Sequence, residues 1–182
     1  MSLSGIIAYT SDALAFALPA GLLFLLGRLV WKRGSTDWQT EGKLLLFAMY
    51  LAALVKITAI RQAELGDFAL NHSVESLQLL PLWNTLLLLE EGLWPFFYNV
   101  LGNLIWFVPL GFFLRWLYSR LTWKGCLWLA AALSTGIELF QWLLQSGISD
   151  IDDIIFNTFG ALLGWYCYSA AQRIWKYGRK KI

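Results

Sequence analysis

Carboxyl and carboxamide side chains interrupt an otherwise apolar stretch of the chain, STGIELFQWLLQSGISDIDDIIFNTFGALLG, at residues 134–164. Its first half has polar residues spaced by four, three and four: Ser134, Glu138, Gln141 and Gln145. This spacing predicts a helix that carries the four side chains on one face. A carboxylate on such a face can act as a general acid or base, or bind a cation through its oxygen atoms.

A second polar stripe follows in the same stretch. Asp150, Asp153 and Asn157 are spaced by three and four, and an earlier apolar segment contributes Asn99 and Asn103, four residues apart. Helical segments would again align each set on one face. The sequence therefore predicts three polar stripes on three helices, which could form one site if the helices pack together.

The composition of the chain indicates which solvent surrounds these helices. Apolar residues make up 58% of the 182 positions and charged residues 14%, against roughly 45–50% and about 25% in soluble proteins. Five segments approach the roughly 20 apolar residues that cross a bilayer: 6–31, 43–60, 96–119, 124–146 and 151–175. We therefore expect an all-α polytopic membrane helical bundle with about five transmembrane helices, forming a single domain over residues 1–182. The net charge of +2 argues against a nucleic-acid partner.

The distribution of lysine and arginine predicts how this bundle is oriented. Basic residues gather at 28–43, 115–124 and 173–181, and the positive-inside rule places such loops in the cytoplasm. The N-terminus, residues 61–95 and the turn at 147–152 then lie outside. The predicted topology is N-out, C-in.

The long outer loop, residues 61–95, contains an apolar run that is too short to span a bilayer. Pro81 to Leu89 would cover only about 13 Å as a helix. Proline is well tolerated in a first helical turn, so we expect a short interfacial or re-entrant helix with Pro81 in that turn. It could be a mere membrane anchor, or it could line the polar site.

Burial in a bilayer makes the two deepest carboxylates the strongest functional candidates. Glu138 lies about 13 Å along the helix from the turn at Gly147, and a charge at such a depth costs about 2.5–3.5 kcal/mol on insertion scales. Amides would hold helices together without this cost, so we expect Glu138 and Asp153 to share a cavity, with Asn103 and Asn157 donating hydrogen bonds to them. Structural hydrogen bonding is the alternative for the amides.

Other residues in this stretch have simpler explanations. Asp150 and Asp152 lie at the start of a helix, where acidic residues cap free N–H groups. Either capping or a functional role explains these two residues. The small residues of GALLG, residues 160–164, predict close helix packing.

Four motifs in the second half of the chain resemble the VanZ-like family of bacterial membrane proteins: LLPLWNTL, NLIWFVPLGFFL, IELFQ and DIDDIIFNTFGALLG. The resemblance covers about residues 79–168. It implies that the family's recurrent polar positions are Asn103, Glu138, Gln141, Asp150, Asp153 and Asn157. It also implies a role in lowering sensitivity to teicoplanin, a lipid-bearing glycopeptide antibiotic.

Two classes of mechanism are compatible with these residues. The chain could bind the lipoglycopeptide, or a lipid-linked wall precursor, among membrane lipids at the outer leaflet. Alternatively, it could be a membrane-embedded enzyme that uses Glu138 and Asp153 to modify an envelope lipid or precursor. No cofactor is predicted, although oxygen ligands would suit Mg²⁺ or Ca²⁺ better than zinc.

Overall fold

The computed structural model describes residues 3–31, 37–58, 77–143 and 149–179, which are almost entirely helical. The helices are α1 (Leu3–Trp31), α2 (Trp38–Thr58), α3 (Trp83–Glu91), α4 (Leu93–Leu117), α5 (Trp123–Leu143) and α6 (Ile151–Arg179). Two short strands, β1 (Leu77–Gln78) and β2 (Ser149–Asp150), pair in parallel. The predicted all-α class is confirmed, whereas the strand pair was not predicted.

Three of these helices are long and apolar enough to cross a membrane. They are α1, through its segment Ser11–Arg28, together with α4 and α5 over their full lengths. The chain is therefore a helical membrane protein. The other two predicted spans correspond to α2 and α6, with 21 and 29 residues, and the number of five spans stays a prediction.

The contacts within the chain divide it into two compact units, Met1–Phe68 and Ala69–Ile182. In the first unit α1 packs on α2, and the Arg28 guanidinium binds the Glu41 carboxylate through two hydrogen bonds of 2.8 and 3.0 Å. Glu41 is only 5% exposed, so this bidentate pairing compensates the charge of a buried carboxylate. The prediction of one domain over residues 1–182 stays a prediction.

In the second unit α4 and α6 pack with their backbones in contact. A Cβ atom built on Gly160 would lie 2.2 Å from the Leu104 carbonyl oxygen, and one on Gly164 would lie 1.8 Å from that of Val108. Gly160 of α6 thus lies against Leu104 of α4, and Gly164 lies against Val108, four residues further along each helix. The two helices therefore run in the same direction. The predicted packing role of GALLG is thereby confirmed.

Helix α6 also packs on α5, so it contacts two helices of the second unit. The Cys126 thiol of α5 is buried 3.8 Å from the carbonyl oxygen of Ala161 on α6. Closer to the other end of α6, the Trp165 indole donates a 3.1 Å hydrogen bond to the carbonyl oxygen of Leu121. As a result, polar side chains on the first turns of α6 can reach both α4 and α5.

The short helix predicted in the long loop is confirmed as α3, but it begins later than expected. Pro81 lies in the turn before the helix, and Leu82 is the N-cap residue with a left-handed φ of 63°. The chain turns at Leu82 because its backbone N–H binds the Asp152 carboxylate at 2.5 Å. Gly92, with φ 126°, then separates α3 from α4. Pro81 is therefore not in the first helical turn.

Candidate functional site

Glu138 is the carboxylate at the centre of the candidate site. It projects from α5, is 3% exposed, and its Oε2 accepts a 2.9 Å hydrogen bond from the backbone N–H of Asp150. The Ser149 side chain also hydrogen bonds to this carboxylate. The chain that follows the turn thus returns to the level of Glu138, and β2 and the start of α6 lie directly against it.

Asp153 connects Glu138 to α4. Its Oδ1 accepts a hydrogen bond from the Asn103 amide, whose nitrogen also donates to Asn99 Oδ1 at 3.1 Å. The Asp153 charge acts on Glu138, and the cavity predicted to hold both carboxylates stays a prediction. Asp153 and Asn103 are both half-buried, so this side of the site is more accessible than Glu138.

Asn157 does not have the predicted partner. Its amide nitrogen donates a 2.9 Å hydrogen bond to Ser134 Oγ, instead of bonding to Glu138 or Asp153. The reason is the helical pitch: Asn157 lies one turn beyond Asp153 on α6, opposite a residue that lies one turn before Glu138 on α5. The predicted positioning of the carboxylates by Asn157 was therefore wrong. The amide oxygen of Asn157 is buried without a hydrogen-bond partner in the described part of the chain.

Asp152 has a role that sequence reasoning did not identify. Its side chain is fully buried and accepts hydrogen bonds from the Leu82 N–H at 2.5 Å and from the Thr85 hydroxyl at 2.6 Å. The Thr85 N–H also points to it, at 3.4 Å. Asp152 therefore caps α3, whose N-cap residue Leu82 lies 70 residues earlier in the chain. The acidic residue at a helix start was a visible signal, but its partner was not.

Asp150 joins the cap to the centre of the site. Its Oδ2 accepts a 3.0 Å hydrogen bond from the Asn84 amide of α3, and its Oδ1 accepts the Asp152 N–H at 2.9 Å. The backbone N–H of Asp150 donates to the Glu138 carboxylate. A continuous hydrogen-bond network thus links α3, the start of α6 and α5.

The backbone around this network is also paired. Leu77 and Gln78 of β1 lie opposite Ser149 and Asp150 of β2. Non-helical backbone inside a membrane protein is tolerated where protein groups satisfy its hydrogen bonds, and this strand pair contributes such bonds at Leu77–Gln78 and Ser149–Asp150. The segment before α3 therefore contacts the site, and the predicted choice between membrane anchoring and lining the site stays a prediction.

We define the polar cluster as the side chains that these contacts bring together: Asn84, Thr85, Asn99, Asn103, Glu138, Asp150, Asp152 and Asp153. Ser134 and Asn157 form a separate pair one turn away. Gln141 is half-buried on α5, and the predicted stripe residue Gln145 lies outside the described residues.

The carboxylates of the cluster accept hydrogen bonds from protein donors. Both oxygens of Asp150 and of Asp152 accept N–H or O–H groups. Among the residues that the structure describes, no group of three or more His, Cys, Asp and Glu is arranged to hold a metal ion. The possible Mg²⁺ or Ca²⁺ stays a prediction.

Comparisons with known proteins agree with the motifs quoted above. The model of the VanZ/LLP1 family matches residues 45–174, a range that contains the whole polar cluster. The chain is also 27% identical over 135 residues to Protein VanZ of Enterococcus faecium, covering 72% of this chain and 78% of that protein. No solved structure matches. Because the family model covers well over half of the sequence, the chain belongs to the VanZ/LLP1 family.

Proposed function

We propose that this protein lowers sensitivity to teicoplanin-type lipoglycopeptides by binding the antibiotic or a lipid-linked wall precursor at the outer leaflet. Membership of the VanZ/LLP1 family supports a role related to that of its namesake. The observation that carries the binding proposal is the polar cluster, which lies beside a short helix with exposed apolar side chains. A lipid-tailed ligand needs both kinds of surface.

The chemistry of the cluster favours a ligand head that donates hydrogen bonds. Asp153 is half-buried and is a carboxylate acceptor, and a carboxylate cannot donate when ionised. Hydroxyl, amide or ammonium groups are the natural partners, and a hydrogen bond to a charged group contributes about 1.5–3 kcal/mol. Sugar and peptide groups of a lipoglycopeptide, or of a lipid-linked precursor, supply such donors.

The apolar part of the ligand would lie along α3. Trp83, Leu86 and Leu87 are 56%, 55% and 41% exposed, and Trp94 and Phe97 at the start of α4 are 65% and 47% exposed. Aromatic and aliphatic side chains of this kind settle at the headgroup level of a bilayer. An acyl chain anchored in the outer leaflet would meet this surface next to the polar cluster.

The proposal includes five spans with N-out, C-in topology, in the bacterial cytoplasmic membrane. We expect a single cysteine at Glu90, before α4, to react with an impermeant maleimide added to intact cells. Cysteines at Gln39, Ser119 and Lys176 should react only after permeabilisation. All four positions are exposed, and the background lacks Cys126 and Cys167. Labelling of Ser119→Cys but not Glu90→Cys in intact cells would place the polar cluster at the wrong leaflet.

The alternative is that the protein is an enzyme acting on an envelope lipid or lipid-linked precursor. The proximity of Glu138 and Asp153 favours it, because two interacting carboxylates can divide acid and base roles. Mass spectrometry of lipid-linked precursors, from cells with and without the protein, separates the two mechanisms. We expect unchanged precursor masses in protected cells. A new covalent species that also disappears with Glu138→Gln would replace the binding proposal with the enzyme.

A further inference from the structure

One buried side chain of α6 binds the start of α3 at two positions. Asp152 is fully buried, and both of its carboxylate oxygens are directed at the start of α3, toward Leu82 and Thr85. No part of its surface is available to a ligand. A buried carboxyl group is costly unless several donors compensate it, and the donors here all belong to the start of α3 or to Leu82 before it.

We infer that Asp152 is a positioning residue that fixes α3 beside the polar cluster. Asp152 then contributes to ligand binding by holding α3 in place and does not contact the ligand. The inference rests on the proposed function for its effect on resistance. The attachment itself is a separate physical claim that can be tested without any ligand.

The length of α3 explains why it needs such an attachment. It has nine residues, and isolated helices shorter than about 12–15 residues are marginal in water. Leu82, at its start, adopts a left-handed backbone with φ 63°, a region that is unfavourable for a leucine. Such a conformation persists only where neighbouring groups hold it, and the Asp152 carboxylate bonded to the Leu82 N–H is that neighbour.

The other end of α3 has a natural pivot. Gly92 has φ 126°, a conformation that side chains rarely adopt, and it alone separates α3 from α4. Without the Asp152 bonds, α3 could turn about Gly92 and leave the cluster. The Asn84 bond to Asp150 would then be lost as well, and with it the link from α3 to Glu138.

Hydrogen exchange on the purified protein in lipid nanodiscs tests the attachment directly. In Asp152→Ala, the peptide covering residues 82–91 should exchange roughly tenfold faster or more, because the Leu82 and Thr85 amides lose their acceptor. Asp152→Asn, which retains one carbonyl acceptor, should lie between Asp152→Ala and the wild type. Peptides from α5 should be unchanged, which shows that the variant is folded. The exposed α3 variant Glu90→Ala is the matched control and should exchange like the wild type.

A disulfide distinguishes positioning from a direct chemical role. Thr85 and Asp152 touch through their side chains, so the double variant Thr85→Cys/Asp152→Cys, in a background without Cys126 and Cys167, can tether α3 covalently. Cells that carry this double variant should lose protection when the two cysteines are reduced. They should regain most of it after oxidation, with formation of the disulfide verified by mass. The disulfide restores the position of α3 but cannot restore a carboxylate.

The outcomes separate this inference from the proposed function. Unchanged exchange at residues 82–91 in Asp152→Ala would overturn the attachment, whatever the resistance phenotype. Faster exchange with full protection in Asp152→Ala, or with no recovery on oxidation of the verified disulfide, would overturn the positioning role. If the wild type gives no protection at all, the proposed function fails, and the exchange result alone still decides whether Asp152 holds α3.

Discussion

Replacement of Gly164 by alanine should destabilise the protein by about 3 kcal/mol or more, at the upper end of overpacking effects. The added Cβ atom would lie 1.8 Å from the Val108 carbonyl oxygen and 2.9 Å from the Phe112 backbone nitrogen. Neither backbone atom can move aside without separating α4 from α6. The free energy of unfolding in mixed micelles measures the loss, and a lower level of protein in the membrane should accompany it.

Glycines without close neighbours provide the control for this substitution. No atom lies within 4 Å of a Cβ atom built on Gly102 of α4 or Gly136 of α5. Alanine is about 0.8–1 kcal/mol better than glycine in a helix, so Gly102→Ala and Gly136→Ala should be neutral or stabilising. Equal stabilities for Gly164→Ala and Gly136→Ala would contradict the close packing of α4 on α6.

Replacement of Glu138 by glutamine should remove protection without removing the protein from the membrane. The glutamine carbonyl oxygen can still accept the Asp150 N–H that Glu138 accepts at 2.9 Å, so the packing of β2 is preserved. The substitution introduces an amide donor beside Asp153, the acceptor proposed for the ligand. Loss of one ligand hydrogen bond to that charged group, about 1.5–3 kcal/mol, would lower ligand affinity on the order of tenfold or more. The measurement is the inhibitory concentration of a teicoplanin-type antibiotic at matched membrane levels of protein.

A second substitution tests the same claim from the neighbouring helix. Asp153→Asn keeps an oxygen that can accept the Asn103 hydrogen bond while it removes the charge. It should lower protection as Glu138→Gln does. If both variants protect normally at matched levels, the carboxylates serve architecture only, and the proposed acidic functional centre is wrong.

Local patterns in the sequence were sufficient for the elements that depend on local physics. Apolar run length predicted the helices, and the polar stripes predicted the hydrogen bond between Asn103 and Asp153. The glycines of GALLG predicted close packing because small residues spaced by four on one helix face let a second helix approach closely. These features repeat every turn of a helix and can be read without knowledge of the partner helix.

The features that were missed depend on pairs of segments far apart in the chain. Asp152 and Leu82 are 70 residues apart, and no periodicity in the sequence indicates that Asp152 caps the helix that begins after Leu82. The pairing of β1 with β2 involves only two residues in each strand, too few for an alternating pattern. Asn157 was assigned to the wrong partner because spacing along α6 does not determine its register against α5.

The most direct test of the central claim is equilibrium binding to the purified protein in lipid nanodiscs. A fluorescent teicoplanin-type lipoglycopeptide and a lipid-linked wall precursor are titrated separately against the wild type, Glu138→Gln and the exposed control Glu90→Ala. We predict saturable binding of at least one of the two ligands to the wild type and the control, weakened about tenfold or more in Glu138→Gln. Absence of saturable binding to the folded wild type, or equal affinity in Glu138→Gln, would contradict the polar cluster as the binding site.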